Sequence, residues 1–162
     1  MVLMGVCGSG KTTVGRALAA GLRWPFIDAD EFHPPPNIAK MARGVALGDD
    51  DRWPWYERIV VELKRHSLAG THVVLACSAL KQTYRNRLAE GGDVRFAYLK
   101  GDARTIEPRL SGRRGHFMAP GLLASQLATL EEPSDAVVVD VARPVAEQVA
   151  EIRRALQPPL PE

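Results

Sequence analysis

One octapeptide near the start constrains this chain more than any other feature. Gly5-Val6-Cys7-Gly8-Ser9-Gly10-Lys11-Thr12 fits the pattern G-x-x-x-x-G-K-S/T in full. An apolar run, residues 1–4, precedes it. A segment with helical spacing follows over 12–22, with Val14, Ala17, Leu18 and Leu22 on one side. Strand, glycine loop and helix in that order form the context of a phosphate-binding loop. Glycines let backbone N–H groups turn inward around an anion, in conformations costly for other residues. The helix that follows directs its positive end at the same anion. Lys11 places a point charge on the β- and γ-phosphates of a nucleoside triphosphate. Thr12 offers a hydroxyl to Mg²⁺, which prefers oxygen ligands. The residues expected at the nucleotide are therefore Gly5, Val6, Cys7, Gly8, Ser9, Gly10, Lys11, Thr12 and Thr13, joined by Arg109. Cys7 fills a free position of the pattern and is read as a small packing residue.

Strand-like and helical segments alternate along the rest of the chain. The expected strands after the first are 26–28, 73–77, 94–99 and 136–141. The expected helices after the first are 37–43, 51–68, 80–90, 105–110, 122–130 and 145–156. Asp51 is expected to cap the long helix, with Pro54 in its first turn. The prolines at 34–36 predict an irregular segment, and the tail at 158–162 is expected to fray. Five short apolar strands between helices predict an α/β fold: a three-layer, five-stranded parallel sheet with helices on both faces. At 162 residues the chain is read as one domain, 1–162. Its net charge of +2 comes from scattered Lys and Arg, which argues against a nucleic-acid partner. No apolar run approaches the ~18 residues of a membrane span. Two cysteines cannot make a disulfide scaffold. With no basic-then-apolar leader ahead of the first motif, a cytoplasmic location is expected.

A phosphate loop leaves the reaction open. The second carboxylate of such sites commonly ends an apolar strand, but the run 73–77 ends in Cys77 and Ser78. The acidic alternative is Asp28-Ala29-Asp30. In an extended chain these two carboxylates point the same way, so Asp28 could serve Mg²⁺ through water while Asp30 faces an acceptor hydroxyl. The competing reading makes them caps. Asp102 and Asp140 are expected to cap. Trp53 and Trp55 are expected to pack in the core. Arg52, on a helix's first turn beside the expected cleft, suits bidentate capture of a carboxylate; taken alone it reads as half of a surface ion pair with a nearby Asp. Arg113 and Arg114 lie in the Gly-bounded stretch 112–120. They are expected on a lid that closes over the triphosphate and stabilises charge on the transferring phosphoryl group. Four histidines without ligand-like spacing make no metal site.

Taken together these residues resemble the gluconokinase family of small P-loop sugar-acid kinases, over nearly the whole chain. The resemblance rests on Gly5 to Thr12, on Asp28-Ala29-Asp30-Glu31-Phe32-His33-Pro34, and on Asn37 with Lys40-Met41. It continues through Asp51-Arg52-Trp53-Pro54-Trp55, Ala76-Cys77-Ser78-Ala79-Leu80-Lys81, Arg113 to Met118, Ser125-Gln126 and Leu130-Glu131. It implies ATP- and Mg²⁺-dependent phosphorylation of D-gluconate at its terminal hydroxyl. It also implies a nucleoside-monophosphate-kinase-like fold with an acceptor region, about 29–68, and a lid, about 112–120. Shikimate kinase is the nearest rival. Members are often homodimers. By family position Lys11, Asp30, Arg113 and Arg114 are catalytic, and Asp30, His33, Arg52 and Lys81 bind substrate. Thr12 and Asp28 serve the metal. Ala29, Gly48, Ala119 and Leu127 depart from the usual Gly, Thr, Pro and Phe, and none of these exchanges removes a proposed catalytic group.

Overall fold

The computed structural model describes residues 1–111 and 122–156. Five strands, β1 (Val2–Met4), β2 (Phe26–Asp28), β3 (Val74–Ala76), β4 (Phe96–Lys100) and β5 (Val137–Asp140), form one sheet in the order β2-β3-β1-β4-β5. Every pairing is parallel; Leu3, for example, lies between Ala76 and Ala97. Parallel neighbours require crossovers. Seven helices provide them or flank the sheet: α1 (Lys11–Leu22), α2 (Pro35–Ala42), α3 (Asp49–Leu68), α4 (Gln82–Ala89), α5 (Ala103–Ser111), α6 (Leu122–Thr129) and α7 (Val145–Leu156).

Successive strand residues face opposite ways, so each strand feeds two cores. Val2, Met4, Leu75, Phe96 and Tyr98 pack with Trp55, Tyr56, Ile59 and Leu63 of α3 and with Tyr84 and Leu88 of α4. Leu3, Val74, Ala97 and Leu99 pack on the other face with Val14 and Leu18 of α1, Ile106 of α5, Leu123 of α6 and Ile152 of α7. This is the three-layer α/β arrangement expected from the sequence.

Several local expectations need correction. The long helix begins at Asp49, with Gly48 as N-cap. Asp51 is the third helical residue, and its carboxylate reaches back to accept from the Gly48 N–H at 2.9 Å. The short helix starts at Pro35, inside the stretch read as irregular, because a first-turn proline loses only an N–H that has no helical partner. The helix expected from Leu80 starts at Gln82. Residues 29–32 form a 3₁₀ turn, so Asp28 and Asp30 do not share an extended segment. Trp55 is core, 1% exposed, whereas Trp53 is 36% exposed and meets the edge of the Tyr84 ring. Asp102 and Asp140 behave as expected: Asp102 accepts from the Thr105 N–H and Asp140 from the Ala142 N–H.

Candidate active site

The carboxyl ends of the strands define one edge of the sheet, where ligands bind in open α/β folds. β1 delivers the loop Gly5–Gly10 there. Gly5 and Gly8 have φ of +143° and +78°. A Cβ on Gly5 would lie 2.9 Å from the Leu99 carbonyl oxygen, and one on Gly8 would lie 2.8 Å from Leu110 Cγ. Only glycine fits both the torsion and the space. The loop amides are anchored in turn. Gly5 N–H donates to the Ser78 carbonyl at 3.2 Å and Ser9 N–H to the Val6 carbonyl at 3.3 Å. Cys7 N–H donates to Gln126 Oε1 at 2.7 Å.

Lys11 opens α1 and folds its ammonium back over the loop, donating to the Gly5 and Val6 carbonyls at 2.9 Å each. Burial pulls its pKa below the ordinary lysine value; the charges of Asp30 and Asp28 are among those that oppose the shift. Thr12 Oγ1 donates to Asp28 Oδ2 at 2.9 Å, and Asp28 Oδ1 accepts from the Asp30 N–H at 3.2 Å. Asp28 therefore caps the 3₁₀ turn and faces Thr12 at once. The capping reading holds, and the same carboxylate stays within reach of Thr12. The turn is fixed from behind by Trp55, whose indole N–H donates to the Ala29 carbonyl at 2.6 Å.

Beside the loop lies a cleft lined by Asp30, His33, Arg52, Ser78, Ser125 and Gln126, with Met41, Leu47 and Leu122 as apolar wall. His33 stacks on Trp55 with ring centroids 4.1 Å apart. Burial, aided by the nearby Arg52 charge, lowers its pKa to about 4, so it is neutral near pH 7. Its Nε2 lies 3.9 Å from Asp30 Oδ1. Arg52 is held by Nε donating to the Leu47 carbonyl at 3.2 Å, and its guanidinium sits 5.7 Å from the Tyr84 ring centroid. Thus Asp30, His33 and Arg52 converge. Lys81 does not line this cleft. Its ammonium is 2.8 Å from Asp49 Oδ1, and the Tyr84 hydroxyl donates to the same oxygen. Lys81 first, then Tyr84, hold the Asp49 carboxyl below its ordinary pKa.

A second cleft on the far side of the loop is lined by Gly8, Ser9, Gly10, Thr13, Arg109 and Pro144, among others. Arg109 donates to the Val141 carbonyl at 2.8 Å there. Thr13 and Arg109, both expected at the nucleotide, thus lie together. Arg113 and Arg114, and with them the expected lid, lie outside the described residues. Cys77, the residue after β3, is a buried thiol whose pKa burial pushes up to about 12, which disfavours a thiolate near neutral pH.

Sequence reasoning assigned no role to Gln126, Ser125, Asp49 or Arg85. Arg85, 2% exposed, donates to the Ala79 and Leu80 carbonyls at 3.0 and 3.2 Å and braces Ala79 at φ +44° just beyond β3. The acidic triplet 49–51 was a signal for Asp49. A buried arginine on a short amphipathic helix gives none.

A glycine loop with Lys and Thr at its exit, a carboxylate beside it, and a polar acceptor cleft define a P-loop small-molecule kinase. The comparisons agree. The shikimate kinase family model matches residues 7–156. The thermoresistant gluconokinase of Escherichia coli K12 is 44% identical, over 92% of this chain and 88% of its own length. A sugar kinase from Janibacter sp. HTCC2649 superposes with a TM-score of 0.87 at 46% identity, covering 96% of this chain and 90% of that one. A gluconokinase from Sinorhizobium meliloti 1021 gives 0.83 at 44% identity, over 95% and 91%. The chain belongs to the gluconokinase family, within the broader shikimate-kinase-like group of P-loop kinases.

Proposed function

We infer that the protein is a gluconokinase, transferring the γ-phosphoryl group of ATP to the terminal hydroxyl of D-gluconate to give 6-phospho-D-gluconate. The observation that carries the reading is the single cleft holding a carboxylate, Asp30, and a guanidinium, Arg52, beside the phosphate loop. Gluconate has a carboxylate at one end and the reacting hydroxyl at the other. Asp30, nearer the loop, orients that hydroxyl and accepts its proton; Arg52 pairs with the carboxylate. Neutral His33 lies between them as a hydrogen-bonding partner for the chain's hydroxyls. Lys11 and the N–H groups at the start of α1 stabilise charge on the phosphates. Thr13 and Arg109 contact the nucleotide on the other side, and Arg113 and Arg114 are assigned to the charge of the transferring phosphoryl group.

Thr12 Oγ1 and Asp28, 2.9 Å apart, are hard oxygen donors, the set that Mg²⁺ takes alongside phosphate oxygens and water. When bound, the ion neutralises phosphate charge. No helix among the described residues is long and apolar enough to cross a membrane. Homodimer assembly and a cytoplasmic location belong to the same reading, and light scattering of the purified protein checks the first.

The family model's description keeps shikimate in view, since shikimate also carries a carboxylate for Arg52. A coupled ADP-release assay decides between them. Turnover is expected with gluconate and Mg²⁺·ATP and not with shikimate. The reverse result overturns the gluconokinase reading.

A further inference from the structure

We propose that Gln126 is a positioning residue for phosphoryl transfer: it fixes the phosphate loop through the Cys7 amide. The inference rests on the nucleotide-site reading above and deepens it. Within the loop, the Gly5 and Ser9 amides are tied to backbone carbonyls, of Ser78 and Val6. The Cys7 amide between them is tied to a side chain, Gln126 Oε1, at 2.7 Å across 119 residues of sequence. Gln126 is 9% exposed and Cys7 is 7% exposed, so the bond is shielded from water. A buried hydrogen bond of this kind matters chiefly through the cost of leaving its donor unpaired.

The geometry has a directional consequence. A peptide N–H that donates to Gln126 is not the one offered to a bound phosphate. Fixing it sets the plane of the Val6–Cys7 peptide and so the course of the loop into Gly8. The N–H groups that follow are the ones that must converge on the anion, and convergence set in advance costs nothing at the moment of reaction. Gln126 also lines the acceptor cleft with Asp30 and Ser125. It stands on α6, which resumes the chain directly after residues 112–121, so one side chain joins that helix to the loop. Helix α6 is held independently: Leu123 lies in the core, and the Glu131 N–H beyond it donates to the Leu80 carbonyl at 2.8 Å. The side chain therefore acts from a fixed base.

The test uses the full chain with Gln126→Leu, close in volume but without an acceptor. Inorganic tripolyphosphate serves as probe, because it reports on the loop without base or gluconate. The variant is expected to lose about 10- to 100-fold in tripolyphosphate affinity and in kcat/KM for ATP, the range for an orphaned buried donor. The gluconate KM should move less than about threefold, since the loss falls on the phosphate side. Exchange of the Cys7 amide hydrogen, slow in the parent, should become fast. Gln126→Asn, which keeps the amide but falls one methylene short, should reproduce these changes, and it substitutes if the Leu variant does not fold. Unchanged anion affinity and kcat in a folded variant overturn the proposal. A rise in gluconate KM alone also overturns it, assigning Gln126 to the acceptor. Failure of the parent protein itself to bind tripolyphosphate would count against the nucleotide site, a result distinct from either.

Discussion

At the phosphate end of the site, eight consecutive residues supply the loop, the ammonium and the hydroxyl. At the acceptor end, Asp30, Arg52, Ser78 and Gln126 arrive from four separate segments. The first end is shaped by backbone torsions and by bonds that span five or six residues, such as Lys11 to the Val6 and Gly5 carbonyls. The second is shaped by side chains reaching across the fold, Trp55 to Ala29 and Lys81 to Asp49, and Gln126 ties the two ends together through the Cys7 amide. The contrast teaches where redundancy lies. A loop built from backbone N–H groups shares its load among many donors, and Lys11 is the charged side chain of its octapeptide. Among the described residues, the acceptor end has one carboxylate and one guanidinium facing the cleft, each with a distinct proposed role, so substitutions there should separate binding from chemistry.

The largest effect is expected at Lys11. Lys11→Ala removes the loop's charge and should lower kcat by roughly 10³-fold or more, at or above the loss seen when one preorganised donor is deleted. Circular dichroism should be unchanged, because the backbone bonds of the loop remain. A folded variant with near-normal kcat would break the phosphate half of the comparison. Next comes Asp30→Asn, which keeps shape but removes the proton acceptor. A fall in kcat of roughly 10²–10⁴-fold with a smaller change in gluconate KM is expected, the range for a positioned acid or base. Arg52→Ala should act the other way, raising gluconate KM by about 10- to 100-fold as a charge-assisted bond is lost, with ATP KM nearly constant. Equal effects of Asp30→Asn and Arg52→Ala on both constants would mean the two residues do not mark opposite ends of one substrate.

The phosphate end was legible from sequence because its physics is local: glycine torsions, a helix start and a lysine fall within one short pattern. The layers of the fold were legible too, since apolar runs alternating with helical periods leave few topologies. The geometry expected for Asp28 and Asp30 was wrong. They converge through a capped 3₁₀ turn, not along an extended chain. Lys81 marks the limit. Family position gave it as a substrate residue, and nothing local revealed that Asp49, 32 residues earlier, would pair with its ammonium. Gln126 entered only within the Ser125-Gln126 string of the resemblance, and its role was hidden because its partner is a backbone amide that no pattern of side chains reports.

His33 sharpens the acceptor half through pH. Its pKa falls from 6.5 in the unfolded chain to about 4 in the fold. The unfolded state therefore binds more protons between those values. The stability that His33 contributes should be complete above pH 6.5 and fade as pH drops toward 4. Thermal melts of His33→Gln should show a weaker loss over that window than the parent. The kcat/KM profile for gluconate should carry no inflection from His33 between pH 6 and 8, and a histidine-like break near 6.5 that His33→Gln removes would contradict the buried, neutral ring.

The smallest effect is expected at Lys81, and it tests the comparison most finely. Lys81 and Asp49 form a largely exposed pair, with side chains 31% and 50% accessible. Such pairs contribute ~0–1 kcal/mol, since water screens them and both side chains lose freedom. Lys81→Met keeps the aliphatic stem over Tyr84 and removes the charge. Gluconate KM should then change by no more than about fivefold, the upper end of what an exposed pair is worth. What change there is should come indirectly. Asp49 also accepts from the Tyr84 hydroxyl, and the Tyr84 ring lies under the Arg52 guanidinium, so loosening Asp49 loosens the surface that supports Arg52. Asp49→Asn, which weakens the same pair from the other side, should therefore match Lys81→Met in size and direction. If Lys81 instead held the substrate carboxylate, Lys81→Met would raise gluconate KM as strongly as Arg52→Ala while Asp49→Asn, by freeing the ammonium, would lower it. Opposite signs for the two variants would move the acceptor end of the site from Arg52 to Lys81.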